Sequence, residues 1–196
     1  MNPPSRLPTV VLSLLAAALM LSQPAICREQ AKEHVEGHVF RSDLLGLTYT
    51  FPEQFSAKTA SQIPGGESAV ERMLLALWDN SDRTGNPRIT LLYDKKVRPV
   101  GRTRKQMADR YLAEVRQMWV GVRGVKISPL IATSPAGYEI WRVDFFQPDN
   151  SPHYESALVI PLPDRRLLVI QMNAPSQAEL NAELDSLKNL RFDQNP

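Results

Sequence analysis

The three histidines of this 196-residue chain are the first candidates for metal or acid–base chemistry. His34 and His38 stand four residues apart, a spacing that lets two imidazoles bind one metal ion when they lie on a helix. Their segment reads HVEGH, however, and Gly37 argues against a helix there. His153 follows a proline at the start of a predicted strand. We therefore expect all three histidines to be structural or solvent-exposed, and we predict no catalytic, cofactor-binding or metal site.

Familiar catalytic motifs are absent from the sequence, which has no G-x-S-x-G elbow, Walker A loop or G-x-G-x-x-G fingerprint. Arg142 and Asp144 share one face of a predicted strand. That pattern is typical of a solvated sheet face or, alternatively, of a ligand-binding face. Trp119 lies near the end of a predicted helix, close to Gly121. Packing is the favoured interpretation, and the alternative is that Trp119 is partly open at a groove. These residues, Trp119, Arg142 and Asp144, are the candidates for a partner-binding site.

The first 27 residues have the layout of a secretory signal peptide. Arg6 supplies a positive charge, and the apolar run over residues 10–21 is too short to span a bilayer as an ordinary helix. Ala25 and Cys27 offer small residues at the two positions that a signal peptidase recognises. We predict that residues 1–27 are a signal peptide and that the protein is exported, to the periplasm or the exterior of a bacterium.

Cys27 is the single cysteine of the chain, so its fate decides the thiol chemistry. If cleavage follows it, the mature protein has neither a disulfide nor a thiolate ligand. Alternatively, Cys27 is the lipid-modified first residue of a bacterial lipoprotein. That processing prefers a small residue before the cysteine, where this chain has Ile26.

Length and composition suit one domain, since 43% of the residues are apolar and 22% are charged. We predict a flexible lead-in over residues 28–37 and a single domain over residues 38–196. The formal net charge of +2 does not indicate a nucleic-acid partner. The basic cluster from Lys95 to Lys105 is either a solvated loop with a first helical turn or a patch for an anionic partner.

Alternating apolar residues and turn signals predict a series of strands. The predicted strands cover residues 38–42, 47–51, 72–78, 88–93, 125–132, 138–146, 154–160 and 167–172. The stretch from 68 to 79 also fits a helical face, and the neighbouring strand favours the strand interpretation. In the strand over 138–146, we expect Trp141, Val143 and Phe145 to face the core.

Two amphipathic helices complete the pattern. Thr103 caps the first, over residues 101–120, which carries a wide stripe of methionine and aromatic side chains. Ser176 caps the second, over residues 176–189, whose leucines at 180, 184, 187 and 190 predict a purely apolar core cover. The order of elements predicts an α+β fold, in which an antiparallel meander is flanked by these two helices as a sandwich.

Two segments give the chain a resemblance to PsbP-like/Mog-like domains. Residues 42–52 (SDLLGLTYTFP) resemble the opening strand of that family, and an apolar strand followed by a serine-capped helix and Leu190-Arg191-Phe192 resembles its ending. The resemblance implies a central antiparallel sheet flanked by helices. Members of the family are mostly accessory or binding proteins, so the resemblance carries over no catalytic residue.

These observations predict an exported, non-enzymatic accessory or binding domain for a protein or small-molecule partner that the sequence does not identify. An alternative is a secreted hydrolase that gathers carboxylates and a histidine from its loops. The third possibility is the lipoprotein anchored through Cys27.

Overall fold

The computed structural model of the chain describes residues 33–81, 85–134, 137–148 and 153–193. The predicted signal peptide, residues 1–27, lies outside these ranges. Neither α-helix within them is long and apolar enough to cross a membrane. Single 3₁₀ turns lie at Ala60–Gln62 and Leu187–Asn189. The described elements are β1 (Glu33–Glu36), β2 (Val39–Ser42), β3 (Leu47–Thr50), β4 (Phe55–Thr59), β5 (Glu71–Asp79), β6 (Ile89–Asp94), α1 (Arg104–Trp119), β7 (Lys126–Ile127), β8 (Ile131–Thr133), β9 (Ile140–Gln147), β10 (His153–Pro161), β11 (Leu167–Ala174), α2 (Gln177–Ser186) and β12 (Leu190–Phe192).

The described strands form two antiparallel sheets. The small sheet has the order β1-β2-β3-β12, and the large sheet has the order β4-β5-β6-β11-β10-β9-β7, with β8 also paired to β9. The predicted α+β class with antiparallel strands and two helices is thus confirmed. The prediction of a single meander is wrong, because β12 follows α2 and pairs with β3. No local turn in the sequence signals a pairing between strands so far apart.

The large sheet is covered on both faces. On one face, α1 packs its buried residues Met107, Ala108 and Leu112 against the sheet. On the other face, α2 and the small sheet contribute Leu180 and Tyr49 to a second apolar cluster. The strand β11 lies between β6 and β10 and begins with four buried residues, as its continuous apolar sequence predicted.

Two strand predictions have opposite outcomes. Residues 71–79 form the strand β5, which confirms the strand interpretation of the ambiguous segment. The prediction of one continuous strand over 125–132 is wrong, because this segment is divided into the short strands β7 and β8. Pro129 lies in the gap and lacks the N–H that a strand ladder needs.

The N-terminal boundary of the fold differs from the prediction. Glu33–Glu36 was predicted as flexible lead-in, but it is the strand β1, which pairs with β2 around a turn at Gly37. Gly37 has a φ of +58°, a conformation that glycine adopts without steric cost. The segment EHVE has a single apolar residue and therefore gives little strand signal. Pairing with β2 and an ion pair between Glu33 and Arg72 hold this strand in place.

Both helix starts follow their predicted caps. The Thr103 hydroxyl accepts from the Gln106 N–H at 3.2 Å, and the Gln106 side chain accepts from the Thr103 N–H at 2.9 Å. The Ser176 hydroxyl accepts from the Glu179 N–H at 3.2 Å. The second helix ends earlier than predicted, so that Leu190 belongs to the strand β12.

Candidate functional site

Trp119, Arg142 and Asp144 do not form one site, because they lie on opposite faces of the large sheet. Arg142 and Asp144 alternate along β9 with Trp141 and Phe145, which pack under α1. Trp119 is half-buried on the α1 face, where its ring lies 5.5 Å from that of Phe145 between centroids. The two charged residues therefore lie on the α2 face, and Trp119 lies apart from them.

Asp144 is held by its neighbours on β10 and before β8. The buried Ser156 hydroxyl donates to Asp144 Oδ1 at 2.6 Å, and Arg142 Nη2 lies 3.5 Å from Asp144 Oδ2. Ser128 accepts from the Asp144 N–H through its Oγ, and its own N–H donates to the Asp144 carbonyl, both at 2.9 Å. The carboxylate is thus fixed in position before any ligand arrives.

An aromatic pair lies beside this carboxylate. Phe146 and Tyr154 are directly opposite each other on β9 and β10, with ring centroids 4.5 Å apart and planes inclined by 31°. Lys126 Nζ lies 5.8 Å from the centroid of the Phe146 ring, within the range of a cation–π contact. Both rings are only half-buried, so part of their surface is open to solvent.

These groups line one cleft of about 300 Å³ between β7, β9, β10 and the first turn of α2. We call it the Asp144 cleft. Its volume is at the low end of the range for small-molecule sites, and it combines aromatic surface, a cation and a carboxylate. Its lining includes Lys126, Ser128, Asp144, Phe146, Tyr154, Gln177 and Leu180.

A second charged cluster joins α2 to the large sheet and was not predicted. Arg88 Nη2 donates to Glu179 and Glu183 at 2.7 Å each, and Arg88 Nη1 lies 3.7 Å from Asp79. Glu183 is only 3% exposed. Burial raises the pKa of the Glu183 carboxyl to about 7, helped by the two other acids and opposed by Arg88.

The same helix carries a further buried polar contact. The Tyr49 hydroxyl and Ser186 Oγ lie 2.7 Å apart, and Ser186 Oγ also donates to the Glu183 carbonyl at 2.6 Å. Burial raises the pKa of Tyr49 to about 12, so this phenol stays protonated. The sequence carries one signal for the charged cluster around Arg88: Glu183 lies three residues after Leu180, on the buried stripe of the helix.

The histidines are dispersed. His153 Nε2 lies 2.9 Å from Glu155 Oε1, and burial raises the pKa of that carboxyl while His153 lowers it. Glu155 is opposite Phe145, on the α1 face and away from the Asp144 cleft. His34 lies exposed on β1, whereas His38 packs edge-on against Phe51. No group of three or more potential metal ligands occurs among the described residues.

Comparisons with known proteins give a likeness of fold. No protein-family model matches the chain, and no curated protein matches it significantly. Among solved structures, the chain is similar to the solution structure of cyanobacterial PsbP (CyanoP) from Synechocystis sp. PCC 6803. That match has 13% sequence identity and a TM-score of 0.46, and it covers 75% of this chain and 86% of the other. The likeness concerns the path of the chain and extends to no ligand or partner.

Proposed function

We propose that the protein is an exported, non-enzymatic binding domain whose ligand site is the Asp144 cleft. One observation carries this proposal: an open aromatic pair and a lysine lie beside a carboxylate that its neighbours hold in place. Such a combination of apolar surface and a few fixed polar groups is typical of small-molecule sites. Lys126 is exposed and both rings are half-buried, so a ligand can reach all three side chains.

The chemistry of the lining selects a class of ligand. A flat apolar ring would lie against Phe146 and Tyr154, since offset-stacked rings attract each other. A carboxylate on the ligand would meet Lys126, and an amine or hydroxyl would donate to Asp144. The ligand class is therefore a small aromatic acid, with or without a hydrogen-bond donor.

Binding is tested with 3-phenylpropionate as the probe, followed by amide chemical shifts in a heteronuclear NMR titration. We expect shifts at Lys126, Asp144, Phe146 and Tyr154, and weaker binding of the neutral analogue 3-phenylpropanol. Lys126→Gln should weaken binding of the acid about tenfold, as expected for the loss of one charge-assisted contact.

The chain offers a matched control in Lys58, whose Nζ lies 5.2 Å from the Trp78 ring at another place on the large sheet. Lys58→Gln removes an equivalent cation–π contact and should leave binding unchanged. Equal binding of acid and alcohol would reject the ligand class. The absence of shifts at the cleft would reject the site.

The export part of the proposal rests on residues 1–27, and mass spectrometry of the mature N-terminus tests it. A free N-terminus near Arg28 would support secretion, whereas a diacylated Cys27 would support the lipoprotein alternative. The hydrolase alternative stays a prediction. Turnover of any substrate in a broad hydrolase panel by the purified protein would overturn the non-enzymatic proposal.

A further inference from the structure

The loop from β6 to α1 places apolar side chains in water. Val97 is 46% exposed and Val100 is 84% exposed. Val70, which is 61% exposed, lies beside this loop, because its carbonyl accepts from the Lys95 N–H at 2.8 Å. Among the residues that the structure describes, these valines leave much of their surface uncovered.

The loop is nevertheless held in one conformation. The buried Asp94 accepts from the Lys96 N–H at 2.8 Å through Oδ1 and from Arg98 Nη2 at 2.6 Å through Oδ2. Arg98 is itself buried, and its N–H donates to the Arg165 carbonyl at 2.9 Å. The exposure of Val97 is therefore imposed by a buried ion pair and does not result from a loose chain.

Positive charge surrounds Val97 and Val100, whereas Val70 lies between Glu67 and Glu71, the first of which is paired with Lys95. From Lys95 to Lys105 the sequence has six lysines and arginines and no acid, in a chain whose formal net charge is only +2. In the described part of the chain, Lys96, Arg102 and Arg165 have no acidic side chain within 4 Å. These cations are free to meet an external anion.

A groove of about 190 Å³ opens between this loop and α1. Its apolar lining lies next to three cationic side chains and Glu114. Arg98 is paired with Asp94 and Arg110 with Glu114, so Lys96 supplies the unpaired positive charge of this space. The lining includes Lys96, Val97, Pro99, Met107, Arg110 and Tyr111.

We propose that this end of the molecule docks on the surface of a bilayer that contains anionic phospholipids. We call it the valine–lysine end and define it by Val70, Lys96, Val97, Val100 and Arg102. Apolar side chains interleaved with cations fit the boundary between headgroups and acyl chains, where valines leave water and cations meet phosphates. An acidic protein would satisfy the cations but would not require isolated valines on a rigid loop.

The test is flotation of the full chain with vesicles of phosphatidylcholine, alone or with 30% phosphatidylglycerol. Residues 1–27 are common to every variant, so the measured quantity is the preference for the anionic vesicles. We expect at least a tenfold preference at low salt, and its loss at 0.5 M NaCl, because salt screens charges at the surface.

Two double variants separate the contribution of the cations from that of the exposed valines. Lys96→Gln with Arg102→Gln should reduce the preference for anionic vesicles by on the order of tenfold or more. Val97→Ser with Val100→Ser should weaken binding to the anionic vesicles on the order of tenfold, through lost apolar burial. The control for the charge variant is Lys58→Gln with Arg123→Gln. The control for the valine variant is Val120→Ser with Val122→Ser at the other end of α1, where both valines are also exposed. Neither control should change binding.

Circular dichroism melts verify that each variant is folded. Unchanged binding in either test variant, or equal losses in the controls, would overturn the proposal. Binding of soluble polyglutamate without binding of anionic vesicles would assign this end to an acidic protein and would also overturn it.

Discussion

Helix α1 covers one face of the large sheet with apolar side chains, whereas α2 covers the other face with a buried charge cluster as well as leucines. Under the middle of α1, Met107 and Leu112 pack in one apolar cluster with Trp141, and the buried pair of Asp94 and Arg98 lies beside this cluster near Tyr111. Under α2, Arg88 and Glu183 meet within the same layer as Leu180. The prediction that α2 is a purely apolar cover is therefore wrong.

The difference teaches that the two faces are specified in different ways. Apolar packing under α1 is nondirectional and depends mainly on volume and burial. The charges under α2 are stable only when every partner is in place, because an unpaired buried charge is costly. Helix α2 is accordingly tied to the sheet by a charged side chain of its own, Glu183, whereas the buried residues of α1 are apolar and hold it by packing.

The largest effect should come from the α1 face. Trp141 is 2% exposed, so Trp141→Ala removes a fully buried indole and should lower the free energy of unfolding by roughly 3–5 kcal/mol. Urea unfolding measures this loss. A change near zero would mean that Trp141 does not face the core in solution.

A smaller effect should come from the α2 face. Arg88→Met removes the cation that Glu179 and Glu183 share, and because Glu183 can then take up a proton, the loss in urea unfolding at pH 7 should be about 1–3 kcal/mol. Adding Glu183→Gln should restore part of this loss, since no buried carboxyl then has to be protonated or left charged. The control is Arg110→Met, which breaks an exposed pair with Glu114 and should cost about 0.5 kcal/mol or less. Equal losses from Arg88→Met and Arg110→Met would contradict the difference between the faces.

The α2 face should also give the largest dependence of the free energy of unfolding on pH. Glu183 has a pKa of about 7 in the folded protein, against an ordinary value of 4.5. Between these values the folded state binds more protons than the unfolded state, so stability falls as pH rises. We expect a loss of up to about 3 kcal/mol between pH 4.5 and pH 7, measured by urea unfolding at several pH values. Glu183→Gln should flatten this part of the curve, and an unchanged slope would assign the effect to other groups.

The smallest effect should come from the edge of the α1 face. Trp119 is half-buried against Phe145, so Trp119→Ala should cost about 1–2 kcal/mol, less than the loss at Trp141. A thermal melt of both variants compares the two tryptophans. A loss at Trp119 as large as that at Trp141 would make it a core residue and remove it from the candidates for partner binding.

Local signals predicted much of this fold. The alternation around Trp141 gave the correct face of β9, and the cap at Thr103 gave the start of α1. The strands β1, β4 and β12 were missed, because they are short and their pairing partners, rather than their own residues, hold them in place.

The candidate site was less predictable. Asp144 was identified from its strand, but its cleft depends on Lys126 and on the first turn of α2, which approach only in the folded chain. The cluster around Arg88 joins residues about 90 positions apart, and a single sequence carries no local sign of such a pairing.

The return of β12 to the small sheet has a consequence for the order of folding. Tyr49 and Ser186, which meet where α2 approaches β3, are 137 positions apart in the chain. The hairpins of the large sheet can form from neighbouring segments, but the small sheet gains its fourth strand only after residues 190–192 have been made. Contacts of such long range slow folding, because the loop entropy is lost before the contacts form. Until β12 is made, the small sheet lacks its fourth strand and the contact between Tyr49 and Ser186 cannot form.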